Sequence, residues 1–576
     1  MVEDFLNPLA PAGVGLLRAV LIHPASTPLT TPSTFHLPPH FLILNSTPTE
    51  DQSLLRPFQE PIFRMLWSCW LIANICMWMN DVSGAWMMTS MNVTPVWVAL
   101  VQSASTLPVF LLGLPCGALA DMLDRRRFLI FTQIWVAVVA SILSLLVFWG
   151  NLSPLSLLVL TFCNGIGLAM RWPVFSSVIP ELLPKSQLPS GLALNAVSMN
   201  TSRIVGPLVA GALIASMGSA YVYLLNAVLS IGAALMMSRW KRVQEPNPLG
   251  RERLWSAMRI GVQFIAQSEH FKGVLMRVAV FFLSSTALIA LLPLVAKNLQ
   301  SGDASTFTFI LASMGLGAIG AAGFIPRFRR RYSRDELIIR GSFFQCLAML
   351  VVAFNHITLI TMAAMCLAGA AWITSANTLG VSAQMGLPDW VRARGMSIYQ
   401  MAIMGSTALG AALWGQVATL ASVQISLIVA ACTGLMGTFL INHFSPDPGL
   451  QDDLTPSHAL LPPVSDKPPE TGHIMMTIEY LIDPKQAEQF KELMQESRKS
   501  RLRHGALSWE LVLDMTRPGR FVEMVEDESW IEHLRRFDRM TEADISIRDR
   551  KMAFHLPDTP PVVNRYVMQS TVQAHH

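Results

Sequence analysis

The chain has 576 residues, 52% of them hydrophobic and only 14% charged, with a formal net charge of +4. Soluble domains carry about 25% charged residues, so a mainly soluble protein is excluded. With so small a net charge, the placement of the charges says more than their total.

Residues 1–60 hold nine prolines, and Arg18 interrupts their only apolar patch. They read as a disordered N-terminal extension, or as an overextended start, rather than a signal peptide. From Phe63 to His443 the chain then holds twelve apolar segments. Each is near the ~20 residues that a helix needs to cross a bilayer core. Their length and lack of period-2 alternation select helices over a barrel. The spans fall at 63–90, 96–120, 128–149, 155–178, 191–214, 221–239, 273–296, 306–325, 337–355, 358–380, 394–416 and 423–443. All seven cysteines lie in these spans, none forms a CxxC pair, and they read as small packing residues.

The connecting loops sort by charge. Alternate loops carry Arg125–Arg127, then Lys185, then Arg239, Lys241, Arg242, Arg251 and Arg253, then Arg327, Arg329–Arg331 and Arg334, then Arg392 and Arg394. The intervening loops hold little that is basic except Lys297. The positive-inside rule places the first set in the cytoplasm, and an even number of spans places both termini there too.

An offset of 204 residues maps one half onto the other, pairing Gly113 with Gly317, Arg125–Arg127 with Arg329–Arg331, Gly165 with Gly369 and Gly206 with Gly410. Two six-helix bundles in the same orientation follow, with a site expected between them near mid-membrane.

Three ionisable residues lie well inside spans: Asp81 in the first, Arg171 in the fourth and Arg203 in the fifth. The later six spans offer no charge of that depth. Each costs roughly 2.5–3.5 kcal/mol on insertion scales, so each needs a partner or a cavity. A fixed ion pair holding the bundle is one reading. A proton or substrate site confined to the first half is the other, with Asp81, the only deep acid, as the proton carrier. In the fifth span Gly206, Pro207 and Gly211 favour a kink and close helix contact. Methionines near Asp81 and the indoles of Trp78, Trp86 and Trp97 suit either a cavity wall or plain packing.

After His443 comes a linker rich in Pro, Ser and Asp, and then a soluble segment. HIMMTIEYL reads as a strand, and residues 483–505 as a helix capped by Asp483 and stopped by Gly505. SWELVLDM and RFVEMVED form a hairpin about Pro518–Gly519, SWIEHLRRFDRM is a helix, and ISIRDRKMAFH closes as a strand. That order, β-α-β-β-α-β, is ferredoxin-like. His504, Trp509, His533 and Asp538 are its candidates for chemistry, but no metal spacing, phosphate loop or nucleophile motif accompanies them. His533, on a charged helix, reads as solvated surface.

The loop GALADMLDRRR, with Gly117, Asp121, Arg125, Arg126 and Arg127, resembles the loop 2–3 signature of the major facilitator superfamily. NDVSG at Asp81, TSRIVGPLVAG at 201–211 and the tail resemble its transmembrane secretion effector branch, which includes enterobactin-type exporters. The second-half copy, GFIPRFRRR, departs by having Ile325 where Asp121 has its counterpart. The resemblance implies a cytoplasmic latch. Asp121 would accept backbone N–H bonds at the positive start of the eleventh span, near Gly395, while Arg125 pairs with Glu181. The helix-5 glycines resemble the antiporter signature of exporters. The soluble segment resembles antibiotic biosynthesis monooxygenase-like domains, which implies dimerisation through it.

The expected fold is therefore an all-α membrane protein of twelve transmembrane helices in two six-helix parallel-repeat bundles, plus a small cytoplasmic α+β ferredoxin-like domain. The expected boundaries are an extension 1–60, bundle 61–240, central loop 241–272, bundle 273–444, linker 445–471, ferredoxin-like domain 472–556 and tail 557–576. The expected function is a secondary transporter of the bacterial inner membrane, a proton-coupled exporter of a siderophore-like metabolite or drug-like molecule. It is expected to be no enzyme, to need no cofactor or metal, and to bind no nucleic acid. The alternative is a membrane-anchored enzyme or ligand sensor acting through the C-terminal domain.

Overall fold

A computed structural model describes residues 55–184, 187–240, 254–299, 302–444, 453–457, 459–460, 462–463, 469 and 472–568. Among the described residues, twelve helices are long and apolar enough to cross a membrane. The first six are α1 (Pro61–Ser90), α2 (Pro95–Met122), α3 (Arg125–Phe148), α4 (Pro154–Leu182), α5 (Leu188–Ser216) and α6 (Ser219–Ser238). After α7 (Leu254–Gln267) come α8 (Glu269–Lys297), α9 (Ala304–Ala322), the short α10 (Ile325–Arg331), α11 (Arg334–Phe354), α12 (Thr358–Met385), α13 (Asp389–Leu420) and α14 (Val423–Phe444). Local chemistry sets their starts. Proline opens α1, α2 and α4, Asp124 caps α3, Asp303 caps α9, and Ser333 with Glu336 forms a capping box on α11.

The internal repeat is visible in the packing. In the first bundle α2 lies on α4, α3 on α6 and α1 on α5; in the second, α9 lies on α12, α11 on α14 and α8 on α13. The bundles meet along α2 against α13 and α5 against α9. Without a hydrophobic drive between helices in lipid, close backbone approach carries such contacts. A Cβ on Gly369 would overlap the Met314 carbonyl, and one on Gly317 the Cys366 carbonyl. In the first bundle the counterpart Gly165 sits 2.6 Å, at its missing Cβ, from the Ser105 carbonyl oxygen.

Two expectations need correction here. The central segment 241–272 was expected to be a loop, but it contains α7, whose Ile260, Phe264 and Ile265 are buried. These fall on one face of a helix whose apolar stripe is too short to stand out beside Arg251 and Arg253. Arg327 and Arg329–Arg331 were expected in a loop and instead sit on α10.

The tail contains β1 (Ile474–Leu481), α15 (Ala487–Arg503), β2 (Ser508–Leu513), β3 (Arg520–Asp527), α16 (Trp530–Asp538), α17 (Glu542–Phe554) and β4 (Val562–Val567). The sheet order is β2-β3-β1-β4, antiparallel throughout. The stretch 545–555, expected as the last strand, is therefore helical. The Thr541–Asp544 capping box starts α17, which buries Ile547 and Lys551 one turn apart. The fourth strand lies further on, in the stretch expected to be a tail. The module rests on α7 and on the start of α13. Gln263 donates to the Ala506 carbonyl (2.7 Å), Arg259 pairs with Glu528 (2.9 Å), and Lys499 pairs with Glu269 of α8 (2.7 Å). Trp390 of α13 lies 5.8 Å from the His504 ring and 5.2 Å from the Arg539 guanidinium.

The glycine crossing makes a test within one helix. Gly317→Leu should abolish the monodisperse peak of the detergent-solubilised chain in size-exclusion chromatography. Gly320→Leu, one turn on with nothing within 4 Å of its Cβ position, should retain it.

Candidate functional site

The deep charges of the first half all gather on α1. Trp70, Asn74 and Met77 receive Arg171 of α4: its Nη2 donates to Asn74 Oδ1 (3.2 Å), and its guanidinium lies 5.1 Å from the Trp70 ring. One residue further, Trp78 faces Arg203 of α5 at 5.4 Å. Asp81 follows one turn on and accepts from Ser105 of α2 (3.1 Å). At 1.5 Å rise per residue, Asn74 to Asp81 covers about 10 Å. No ion pair joins Asp81 to either arginine, so the fixed pair left open above is not formed.

Arg203 is the charge at the seam. Its guanidinium lies 4.0 Å from the ring of Trp372, on α12 of the other bundle, so two indoles from opposite halves face one cation. Its Nη1 is buried without a hydrogen-bond partner. The glycines of α5 put it there. A Cβ on Gly206 would lie 2.5 Å from Trp78 Cβ, and one on Gly211 would overlap Thr308 of α9. Pro207 lies within an unbroken α5. Away from the arginine-bearing ends the halves are also joined. Lys297 donates to Asn92 (2.6 Å), the Val96 amide to Thr419 (2.9 Å), and Trp86 stacks on Phe307.

Arg171, by contrast, is buried (6% exposed) inside its own bundle. It lines a small pocket with Asn80, Gln133, Asn226 and Ser230. The sequence reading missed a further buried charge in the spans, Arg277 near the start of α8, which donates to Asn442 (2.9 Å) and pairs with Asp335 (3.5 Å).

At the basic end, Gly117 and Asp121 fall in the last turns of α2, and Arg125, Arg126 and Arg127 in the first turn of α3. The side chains of Asp121 and Glu181 lie outside the described residues. Asp124 accepts from the Arg127 amide (3.0 Å) and caps α3, offsetting three cations at a positive helix end. Arg126 donates to the Ser238 carbonyl at the end of α6, and Arg329 to Asn377 of α12. The latch geometry expected at Gly395 needs correction. Helix α13 begins at Asp389, almost two turns earlier, so Gly395 lies inside the helix rather than at its positive end.

In the tail, His533 is a second correction: it is fully buried, and its Nδ1 lies 2.6 Å from Asp527 Oδ2. Helix α16 turns that face inward against β3, so its charges pair in the interior instead of meeting solvent. Desolvation lowers the His533 pKa, partly opposed by its bond to Asp527. His504 is buried beside Asp544 (3.3 Å), Trp509 donates to Glu523 (3.0 Å), and Asp538 is exposed. Glu523 is the centre of this interior. It is fully buried and accepts from Tyr480, Ser497, Arg501, Trp509 and Lys551. Burial works to raise its pKa, but the charges of Lys551 and Arg501 prevail and hold it well below the carboxylate range. Burial lowers the Lys551 pKa to about 8.

The family model for transmembrane secretion effectors matches residues 52–573. The staphyloferrin A transporter of Staphylococcus aureus (strain NCTC 8325 / PS 47) is 22% identical over 329 residues, or 56% of this chain and 81% of that protein. The macrolide efflux protein A of Streptococcus pyogenes is 23% identical over 49% of this chain and 70% of its own length. An enterobactin exporter of Escherichia coli O9:H4 (strain HS) is 22% identical over 58% and 81%. Among solved structures, a bacterial homologue of the human lysosomal transporter Spinster, inward-facing and occupied, aligns at TM-score 0.55 and 12% identity over 67% of this chain and 97% of its own. A nucleoside transporter aligns at TM-score 0.57 and 11% identity over 66% and 100%. At such identities the likeness is one of fold.

The tail's interior carries its own test. Glu523→Gln leaves Lys551 and Arg501 buried without their counter-charge, a loss of about 3–5 kcal/mol. Amides of β3 should then exchange far faster by hydrogen–deuterium exchange in the full chain. A carboxylate whose folded pKa is depressed supplies stability above its unfolded pKa and loses it as pH falls through the folded value. Native protection of β3 should therefore weaken from about pH 4.5 downwards, and the variant should show less of that dependence, with Asp527 contributing the remainder.

Proposed function

The chain belongs to the transmembrane secretion effector family of the major facilitator superfamily, a multi-pass transporter of the bacterial inner membrane, and from that premise we propose that it exports a siderophore-like or drug-like small molecule in exchange for protons. The observation that carries this reading is Arg203, held between Trp78 of one bundle and Trp372 of the other. The halves cannot part on that side without breaking the Arg203–Trp372 contact. A substrate carrying an anionic or phenolic oxygen can replace it, because a charge-assisted hydrogen bond to the unpartnered Nη1 is stronger than a cation–π contact. Aromatic rings of the same substrate would stack on the two indoles. Substrate binding and opening of the seam are then one event.

We assign the proton to Asp81. It is half-buried, lies one turn from Trp78, and has a hydroxyl rather than a cation as its partner. Protonation there spares a buried charge while α1 moves. Taking the basic end as cytoplasmic, by the positive-inside rule, puts the joined surfaces at Lys297 and Trp86 on the outer side. Both termini then lie inside. Gly117, Asp121, Arg125, Arg126, Arg127 and Glu181 belong to the cytoplasmic gate in this reading.

The tail is assigned a positioning role. Its interior is filled by Glu523 and the partners of that carboxylate, and its outer surface grips Trp390 at the head of α13. The sheet face away from its helices, bearing Met475, Val522, Met524 and Tyr566, is the surface we assign to pairing with a second copy. A ligand sensor acting through the tail ranks second, favoured by its contact with α13. Enzymatic action ranks below both.

The reading is tested in proteoliposomes loaded with a siderophore or macrolide. The native chain should show pH-gradient-driven export and counterflow. Asp81→Asn should lose gradient-driven export but keep counterflow, because exchange needs no net proton movement. Arg203→Gln should weaken substrate binding about tenfold or more and lose both. Export by Asp81→Asn that still follows the pH gradient would refute the proton assignment.

A further inference from the structure

Arg171 is the deep charge that this transport reading leaves unused, and its surroundings form a site of their own. Among the described residues no carboxylate reaches it within ion-pair distance; its partners are the Asn74 amide oxygen, the Met77 sulfur and the Trp70 ring. An isolated guanidinium buried in this way calls for a counter-charge. The pocket beside it is built by α1, α3, α4 and α6, with Asn80, Gln133, Asn226 and Ser230 in its wall, all four side chains nine-tenths buried or more. It offers about 20 Å³ to the centre of a water-sized sphere. One such particle needs about 10–15 Å³.

Three polar atoms of these residues are buried without a hydrogen-bond partner: Arg171 Nε, Asn226 Nδ2 and Asn80 Oδ1. The first two are donors. Asn226 Oδ1 accepts from the Ser230 hydroxyl (3.2 Å), which leaves its Nδ2 to donate into the pocket. Asn80 is an amide that a half-turn converts into a third donor. A positive charge with converging N–H groups, in a space the size of one water, fits a small spherical anion. Sulfate, phosphate and carboxylates exceed the space.

We infer that this pocket binds a chloride-sized monovalent anion as the counter-charge of Arg171. All of its walls belong to one bundle, so motion of the two halves against each other leaves them together. The anion is a resident of the bundle rather than cargo, and the site stands whether or not the export reading holds.

The full chain, purified in detergent, is melted in sodium chloride, bromide and gluconate at equal ionic strength. Chloride and bromide should raise the unfolding midpoint over gluconate, saturably, by about 2–5 °C. Asn226→Asp, which keeps the bond from Ser230 and supplies a built-in negative charge, should melt alike in all three salts. Equal native midpoints in chloride and gluconate would overturn the inference. So would a halide shift that Asn226→Asp retains in full, since that marks a general salt effect. Should the variant fail to fold, crystals of the native chain soaked in bromide decide: an anomalous peak beside Arg171 supports the site, and none overturns it.

Discussion

In lipid, helices gain nothing by hiding apolar surface from one another, so this fold is held by how closely its backbones can approach. The tightest crossings sit where glycine faces a carbonyl, as with Gly317 and Gly369 between α9 and α12. The same economy governs the seam between bundles, where Gly211 meets Thr308 and Gly415 meets Ala99. Small residues leave a smooth surface, and a smooth surface can slide or part without tearing interlocked side chains. Arg203, set at that seam between indoles of the two halves, is consequently a place where an outside molecule can bias its two positions.

Helix α1 organises the rest. On successive turns it offers an amide to Arg171, an indole to Arg203 and a carboxylate to Ser105. Each contact reaches a different helix, so a change at one is felt along a rigid rod by the others. That arrangement places a proton-binding carboxylate and a ligand-binding cation on one mechanical element without pairing them. Paired charges would lock the bundle; separated ones leave each free to answer its own ligand.

The spans were legible because a bilayer core dictates their length, and the repeat because its arginine triplet and glycines recur at one spacing. Asp81, Arg171 and Arg203 were legible as charges in apolar runs, but their gathering on α1 was not, since it depends on how α4 and α5 pack. Trp372 could not be matched to Arg203, as nothing local links residues on different bundles. Helix α17 was misread because Ile545 and Ile547 mimic a strand's alternation while the Thr541–Asp544 capping box favours a helix. His533 was misread because α16 is charged on the side it buries, and His533 and Arg536 there both pair with Asp527 of β3. Arg277 escaped notice because it lies near a span's end, where depth is hard to judge from order alone.

The docking of α15 on α7 has a consequence for how the protein is made. Roughly 230 residues separate the two helices, so at about 5–20 residues per second the ribosome delivers α15 some 10–50 s after α7. Throughout that interval the face bearing Ile260, opposite Gly505 in the finished chain, has no tail to rest on. An amphipathic helix in that position lies readily on a membrane surface. Helix α7 thus spends that interval without the contacts to α15 that it makes in the finished chain.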